Sequence, residues 1–153
     1  MQTFLPYKSF KESLKSLDYG WLGKQRVEAR QVLNILRDKT STKGWRNHPI
    51  TRMWEGYDNA LAEYMNLCIL EWVNRGYNNT MEFAKISGDV VYPSWLGNDL
   101  FHSSHRANLL RKDKEYYSKF FWREDSENPY AWFDMDKKQW YLQHVGTGMR
   151  EYV

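Results

Sequence analysis

Residues 50–74 read ITRMWEGYDNALAEYMNLCILEWVN, and this stretch decides the fold. Its large apolar and aromatic side chains recur every three or four positions, which is the period of one face of an α-helix. They are Trp54, Tyr57, Leu61, Tyr64, Met65, Cys68 and Trp72. We predict one long helix over residues 50–74 that forms the spine of the core and stops at the following Arg75-Gly76 pair.

The residues before this stretch predict two further helices. Ser9 is a good N-cap for a short helix that runs through Leu17. Residues 18–23 contain two glycines and break the helical period, so the second helix is expected from about residue 24 to residue 37. Residues 40–44 are expected to form a loop before the long helix.

The residues after it predict shorter elements. A short helix is expected over residues 80–85, and Gly88, Pro93 and Gly97 then indicate a loop that carries Trp95. Ser103 or Ser104 would start a helix through about residue 110, and Asp113 would cap another through about residue 120.

The C-terminal tail contains two aromatic runs between residues 130 and 145, separated by Asp134-Met-Asp-Lys-Lys138. Such a pattern is more typical of a hairpin than of a helix. The fold class is therefore predicted as mainly α, a compact single-domain helical bundle over residues 1–153. It has long aromatic-rich loops, a small C-terminal β-hairpin, and residues 130–153 as a candidate extension.

Length and composition restrict the class of protein. A chain of 153 residues suits one domain, and 42 % hydrophobic with 17 % aromatic residues excludes disorder over most of it. There is no apolar run long enough to span a membrane and no secretory signal. The lone cysteine, Cys68, cannot form an internal disulfide, so we expect a cytoplasmic protein without a membrane partner.

Charge is segregated along the chain although the net charge is only +3. Residues 1–53 carry +7 and residues 102–123 carry +4, whereas residues 54–101 carry −5 and residues 124–153 carry −3. If the two basic blocks meet in the fold, they form a surface suited to a short run of phosphates. The alternative is that the basic helices are merely solvated.

Common motifs for phosphate loops, serine nucleophiles and metal sites are absent from the sequence. His102 and His105 would lie one helical turn apart, as a metal-binding pair does, but no cysteine or carboxylate at ligand spacing joins them. We expect neither a metal site nor a small-molecule cofactor.

One helical segment brings a carboxylate close to several cations. Arg26, Arg30 and Arg37 share a face of the predicted helix, while Glu28 lies at the edge of its apolar stripe. The simpler interpretation of Glu28 is a surface pair with Lys24 at i,i+4 spacing, which would contribute a few tenths of a kcal/mol.

Two further segments gather groups that suit phosphate or base contacts. Trp45 is followed by Arg46, Asn47 and His48, which would serve equally for helix capping and packing. Downstream, a helix beginning at Ser103 or Ser104 would present free amides with basic residues near it, and helix N-termini bind phosphate readily. Those basic residues are Arg106, Arg111 and Lys112.

Five motifs in the same order resemble the pyrimidine-dimer DNA glycosylase family, which includes the bacteriophage endonuclease V enzymes and a bacterial branch to which this chain looks closer. The resemblance runs from Met1 to about Trp132. The motifs are Leu22-Gly-Lys-Gln-Arg-Val-Glu28, Trp45-Arg-Asn-His-Pro49, the Trp54-to-Gly76 helix, Trp95-Leu-Gly97 and Phe101-His-Ser-Ser-His-Arg-Ala-Asn-Leu-Leu-Arg-Lys-Asp113.

The resemblance implies a helical enzyme that binds damaged duplex DNA, turns a nucleotide out of the stack and attacks its sugar with the α-amine of the first residue. A Schiff base and strand cleavage by β-elimination would follow. The α-amine of a polypeptide titrates near pH 7.7–8.0, so a useful fraction is neutral and nucleophilic at physiological pH. Since Gln2 is bulky, we expect Met1 to be retained.

By similarity, the catalytic residues would be Met1 as nucleophile, Glu28 as acid, base and electrostatic partner, and Arg26. Double-stranded DNA would be the partner of a monomeric protein. The residues expected to contact DNA are Gln25, Arg30, Arg46, Asn47, His48, His102, His105, Arg106, Arg111 and Lys112.

Two alternatives stay open at this point. The chain could be a non-catalytic nucleic-acid-binding module on the same scaffold, or a glycosylase for a modified rather than a dimerised pyrimidine. Trp21 and Trp95 are the loop residues that could wedge into DNA or stack on an extruded nucleotide, although packing in the core is the more usual role for such rings.

Overall fold

A computed structural model describes residues 1–38 and 43–153, so the loop predicted for residues 40–44 lies mostly outside the described residues. The prediction of a mainly α fold is confirmed. The helices are α1 (Phe10–Ser16), α2 (Tyr19–Asp38), α3 (Lys43–Arg46), α4 (Pro49–Trp54), α5 (Asp58–Asn74), α6 (Asp99–Lys112) and α7 (Lys114–Tyr117), the last followed by a 3-10 turn at Ser118–Phe120. The strands are β1 (Tyr130–Asp134), β2 (Gln139–Gln143) and β3 (Arg150–Tyr152).

The first two helices differ in how well the sequence predicted them. Ser9 caps α1 as expected, with its hydroxyl accepting from the Glu12 amide at 3.1 Å. Helix α2, however, begins at Tyr19, so the prediction of a break over residues 18–23 was wrong. Gly23 lies inside this helix, and a larger residue would not fit there. An ideal Cβ on residue 23 would lie 3.1 Å from the ring of Trp72.

The long helix predicted over residues 50–74 is two helices, α4 and α5. The chain turns between them at Gly56, whose φ of +86° is a left-handed conformation that glycine adopts at little cost. The apolar period continues across this turn because both helices face the same core. The predicted stop is confirmed, since α5 ends at Asn74 and Gly76 has a φ of +89°.

Residues 75–94, all of them described, contain no helix, so the prediction over residues 80–85 was wrong. Side chains from neighbouring helices bind the backbone there instead. Asn66 bonds both the amide and the carbonyl of Ala84, and Arg37 donates to the carbonyl of Lys85 at 2.8 Å. These bonds compete with the i to i+4 bonds that a helix would need.

Helix α6 begins before the two serines that were expected to start it. Its N-cap is Asn98, whose side chain accepts from the Phe101 amide at 3.0 Å. Asp113 caps α7 as predicted, through a bond from the Tyr116 amide.

The C-terminal hairpin is confirmed. Strands β1 and β2 pair antiparallel, with Trp132 opposite Tyr141. Strand β3 was not predicted; it pairs antiparallel with β2 and completes a sheet in the order β1-β2-β3.

The described residues group into two compact units. The first contains residues 1–4 and 9–94, and its core includes Phe4, Trp54 and Tyr64. The second contains residues 5–8 and 95–153, with Phe101 and Tyr117 among its buried residues. The single-domain organisation stays a prediction. Over the described ranges, no helix combines the length and apolar character needed to cross a bilayer.

Candidate active site

The first residues of the chain are buried in the first unit. Gln2 is only 7 % exposed, and Thr3 and Phe4 have no exposed surface. The indole Nε1 of Trp54 donates to the Thr3 hydroxyl at 3.0 Å, and the Phe4 amide donates to Gln25 at 2.7 Å. Termini are usually frayed unless they are tied down in this way. The backbone of residues 2–4 is therefore held in place next to the first residue.

Gln25 of α2 is the centre of this anchoring. Its Oε1 accepts from the Phe4 amide and lies 2.7 Å from the hydroxyl of Tyr64, while its Nε2 donates to the Gln2 carbonyl at 3.1 Å and to Glu28 at 3.2 Å. Burial raises the pKa of Tyr64 well above its usual range, so this hydroxyl remains a donor. Gln25 is fully buried, and this arrangement does not favour its direct contact with DNA, which stays a prediction.

Glu28 lies beside the chain terminus. Its Oε2 accepts from the Gln2 amide at 3.2 Å and from Gln25 at 3.2 Å, and the residue is half-buried. Three covalent bonds of about 1.3–1.5 Å link the Gln2 nitrogen to the α-amine of Met1, so the amine is within about 8 Å of this oxygen. The alternative of a Lys24–Glu28 pair is not what forms, since the Lys24 ammonium lies 4.6 Å above the Trp21 ring.

His48 belongs to the same neighbourhood. It is the N-cap of α4, and its Nδ1 accepts from the Ile50 amide at 3.1 Å. Burial, and after it the positive charge of the α-amine, lower the pKa of His48 to about 4. The imidazole is therefore neutral at physiological pH and adds no positive charge next to the amine.

The side chain of Arg26 contacts Trp72 and Asn79 and not Glu28. Its guanidinium lies 4.1 Å above the ring of Trp72, and its Nη1 donates to the side chain of Asn79 at 2.8 Å. These contacts stabilise the packing of α2 on α5. A catalytic role for Arg26 stays a prediction.

An open groove of about 580 Å³ adjoins Glu28 on the surface of α2. Three aromatic residues line it together with two glycines, and a lysine stands at its edge. The lining residues are Tyr19, Gly20, Trp21, Gly23, Lys24, Val27, Glu28, Gln31 and Trp72. Trp21 is thus part of α2 and not of a loop as predicted, and it packs edge-on against Phe4 with ring centres 5.2 Å apart.

The other polar candidates of the first unit have fewer contacts. Arg30 is half-buried and makes no hydrogen bond or ion pair with the rest of the described chain. Arg46 donates to the Ile35 carbonyl at 3.3 Å, and Asn47 is exposed. Contact of these residues with DNA stays a prediction.

The two histidines of α6 hold the backbone of one residue in the second unit. The Leu5 amide donates to Nδ1 of His105 at 2.8 Å, and Nδ1 of His102 lies 2.7 Å from the Leu5 carbonyl oxygen. Burial lowers the pKa of both rings, that of His105 strongly, so both are neutral. Neither ring reaches the surface in this conformation, and their contact with DNA stays a prediction.

The phosphate site predicted at the N-terminus of a helix starting at Ser103 or Ser104 is wrong. Because α6 begins at Asp99, the amides of both serines are inside the helix. Ser103 donates instead to Glu124 at 3.0 Å, and the buried Ser104 donates to the Phe101 carbonyl.

The basic residues of α6 also differ in their surroundings. Arg106 forms an ion pair with Glu124 at 2.9 Å and donates to the Pro6 carbonyl at 2.7 Å. The guanidinium of Arg111 lies 5.9 Å from the ring centre of Tyr130, while Lys112 is exposed. Trp95, the other candidate wedge, is only 2 % exposed and packs against Phe101. Contact of Arg106, Arg111 and Lys112 with DNA stays a prediction.

No group of three or more His, Cys, Asp or Glu side chains within residues 1–38 and 43–153 is arranged to hold a metal ion. Cys68 is buried, and burial raises the pKa of its thiol to about 12. A catalytic role for Met1 and for Glu28 stays a prediction.

Met1 and Glu28 were named from the sequence, and their catalytic roles stay predictions; the part that Gln2, Gln25 and Trp54 play in anchoring the chain terminus was not predicted. The roles of Gln2, Gln25 and Trp54 depend on contacts across more than 20 residues of sequence. The only signal for them is the apolar character of Phe4 and Leu5 so close to the terminus.

A comparison with family models finds a match over residues 1–85, more than half of the chain, to a family described as pyrimidine dimer DNA glycosylase. The matched residues include Met1, Gln25, Glu28 and His48. No curated protein and no solved structure matches the chain.

Proposed function

This chain belongs to the pyrimidine dimer DNA glycosylase family, and on that premise we propose that it excises damaged pyrimidines from duplex DNA with the α-amine of Met1 as nucleophile and then cleaves the strand as an abasic-site lyase. Family membership makes the chain a DNA glycosylase with DNA as its partner. The nucleophile and the lyase step are the parts that we add.

One observation supports the nucleophile above all others: the Gln2 amide donates to Glu28 at 3.2 Å. This bond keeps a carboxylate within about 8 Å of the α-amine. The anchoring of residues 2–4 by Gln25 and Trp54 reduces the freedom of the amine before substrate arrives. Such preorganisation lowers the entropic cost of reaching the reactive geometry.

The proposed reaction has two stages. The neutral amine forms a bond to the deoxyribose C1′ while the glycosidic bond breaks, and the base leaves with the electron pair and takes a proton. The nitrogen then loses a proton and forms a double bond to C1′ as the C1′–O4′ bond breaks, and O4′ leaves with the electron pair and takes a proton. The product is a Schiff base. Removal of a proton from C2′ then expels the 3′ phosphate, and water releases the sugar from the amine.

Glu28 has two tasks in this scheme. Its carboxylate stabilises the positive charge that develops on the sugar, because opposite charges attract strongly where water is partly excluded. It also accepts and returns the protons that the two stages move.

The proposal is tested by trapping. Wild-type protein is incubated with a duplex that contains one abasic site in the presence of sodium borohydride, which reduces a Schiff base to a stable amine. We expect a covalent protein–DNA adduct whose peptide map places the link at Met1. An adduct at a lysine side chain, or none from protein with a free amino terminus, contradicts the proposal.

Glu28→Gln is the matching variant, since it keeps the size of the side chain and removes its charge. We expect strand cleavage of the abasic duplex to fall about 100-fold or more, the usual contribution of a positioned acid–base group. Glu12→Gln, on the exposed face of α1, is the control and should cleave at the wild-type rate.

Two outcomes favour the alternatives. Binding of damaged duplex without any cleavage or adduct indicates a non-catalytic module. Excision of an oxidised or alkylated pyrimidine, with no action on a dimer, indicates a modified-base glycosylase on the same scaffold.

A further inference from the structure

The segment after α7 holds one phenylalanine in a strained and exposed position. Phe121 is 87 % exposed, more than any other large apolar side chain among the described residues. Its φ of +57° is a left-handed conformation, which a side chain as bulky as phenylalanine rarely adopts. Neither the exposure of the ring nor this backbone conformation stabilises the fold. Such positions are typical of functional sites.

The rings on either side of Phe121 explain why it points outward. Phe120 and Trp122 stack on each other with ring centres 5.1 Å apart and an interplanar angle of 20°. Trp122 also stacks on the buried Tyr117, at 5.6 Å and 13°, and its indole donates to the Tyr7 hydroxyl at 2.8 Å. Because residues 120 and 122 belong to one fixed stack, residue 121 between them is presented to solvent on a rigid support.

Two cations flank this ring in the sequence. Lys119 and Arg123 are both exposed, and neither forms an ion pair within the part of the chain that the structure describes. Glu124, the acidic residue next to Arg123, is instead paired with Arg106 at 2.9 Å. Residues 102–123 together carry a charge of +4. The surroundings of the exposed ring therefore attract a polyanion.

An apolar ring between two cations fits duplex DNA better than it fits a protein. Proteins that bend DNA insert phenylalanine and similar apolar side chains between base steps, and lysine or arginine binds the adjacent phosphates. A protein interface has a core of several apolar residues, whereas Phe121 is the one exposed large apolar side chain within the described residues 112–123.

We propose that Phe121 inserts between two base pairs of duplex DNA, while Lys119 and Arg123 bind the phosphates on either side. The inference goes beyond the proposed chemistry, because it concerns binding and not bond cleavage. It depends only on DNA as the partner. Phe121 also lies outside residues 1–85, over which the family model matches the chain.

Phe121→Gly tests the insertion with a variant that keeps the fold. Glycine adopts the left-handed conformation at little cost, so we expect an unfolding temperature no lower than that of wild type. Fluorescence anisotropy measures binding to a duplex with one tetrahydrofuran abasic analogue. We expect the affinity to fall about fivefold or more, the lower end of what stacking of a base on an aromatic ring contributes.

The choice of duplex separates this inference from the proposed function. The tetrahydrofuran analogue has no aldehyde and cannot form a Schiff base, so the result is independent of the trapping experiment. Failure of trapping with a loss of affinity in Phe121→Gly contradicts the proposed nucleophile and supports the insertion. Successful trapping with wild-type affinity in Phe121→Gly does the reverse.

Insertion also has its own spectroscopic signature. The fluorescence of 2-aminopurine rises when the base is unstacked, so a set of duplexes with this base at successive positions locates a separated base step. We expect saturating wild type to raise the fluorescence at one step and saturating Phe121→Gly to leave it unchanged. Equal fluorescence with both saturated proteins overturns the inference.

Two kinds of variant complete the test. Lys119→Ala and Arg123→Ala should each reduce the slope of log affinity against log salt concentration by about 0.9, the value for one phosphate contact, and should keep the 2-aminopurine signal at saturation. Phe83→Ala is the matched control, since Phe83 is another exposed phenylalanine, at 54 %, in the first unit. We expect it to bind as wild type does. An unchanged salt slope in both cation variants, or an equal loss of affinity in Phe83→Ala and Phe121→Gly, overturns the inference.

Discussion

At the scale of single residues, the site depends on Gln25 as much as on the residues proposed to do chemistry. Both ends of its amide are bonded in the buried interior, to the Phe4 amide and Tyr64 at one end and to the Gln2 carbonyl and Glu28 at the other. A buried donor or acceptor that loses its partner costs about 1–3 kcal/mol. One side chain thus links the terminus, α2 and α5.

Gln25→Leu is expected to destabilise the protein by about 2–4 kcal/mol. Leucine fits the volume but leaves the buried Phe4 amide and Gln2 carbonyl without partners. Chemical denaturation of the variant and of wild type measures the loss as a difference in the free energy of unfolding. Gln31→Leu, an exposed position on the same helix, should change stability by no more than about 0.5 kcal/mol, and equal effects at the two positions would contradict the role of Gln25.

At this scale, the sequence could predict only those features that depend on the spacing of neighbouring residues. Glu28 stood out because it lies at the apolar edge of a helix next to cations, a property of neighbouring residues. The hydrogen bonds of Gln25 join it to residues 21, 23 and 39 positions away, and no local pattern encodes them. The bonds of His102 and His105 to Leu5 could not be predicted for the same reason, since they span about 100 residues. The contact of these two histidines with DNA stays a prediction.

At the scale of elements, the type of each helix followed from its period, whereas its ends were decided by tertiary contacts. Gly20 and Gly23 indicated a break by composition, yet α2 runs through both. Gly23 is required there by the ring of Trp72, whose indole donates to the Asn78 carbonyl at 2.7 Å and is thereby fixed. Likewise, Asn98, Ser103 and Ser104 are all acceptable caps, and Ser104 is instead used by the Ala131 amide in β1.

The two glycines of α2 should therefore respond in opposite directions to alanine. Gly20→Ala is expected to stabilise the protein by about 0.5–1 kcal/mol, because its Cβ has space and alanine favours helix. Gly23→Ala is expected to destabilise it by about 1–3 kcal/mol, because the Cβ would lie 3.1 Å from a fixed ring. Chemical denaturation of both variants measures the difference, and stabilisation by both would show that Trp72 can move.

At the scale of the whole molecule, neutral histidines that are buried or half-buried occur in both units. His48 of the first unit and His102 and His105 of the second all have a lowered pKa, with burial as the largest cause in each. Histidine usually titrates near 6.5, so the unfolded chain takes up protons at a pH where these folded rings do not. Stability should consequently decline as the solution becomes acidic.

The contribution of His48 to this loss of stability at acidic pH can be measured separately. Its folded pKa of about 4 lies below the ordinary 6.5, so its contribution to stability is fully present above pH 6.5 and is lost as the pH falls through about 4. His48→Asn removes the titrating ring and keeps a side-chain acceptor for the Ile50 amide, since asparagine is a favoured N-cap. We expect its unfolding temperature to match wild type at pH 7 and to exceed it increasingly between pH 6 and pH 4. Parallel curves for the two proteins over this range would mean that the ring is already protonated in the folded state, or that it titrates equally in both states.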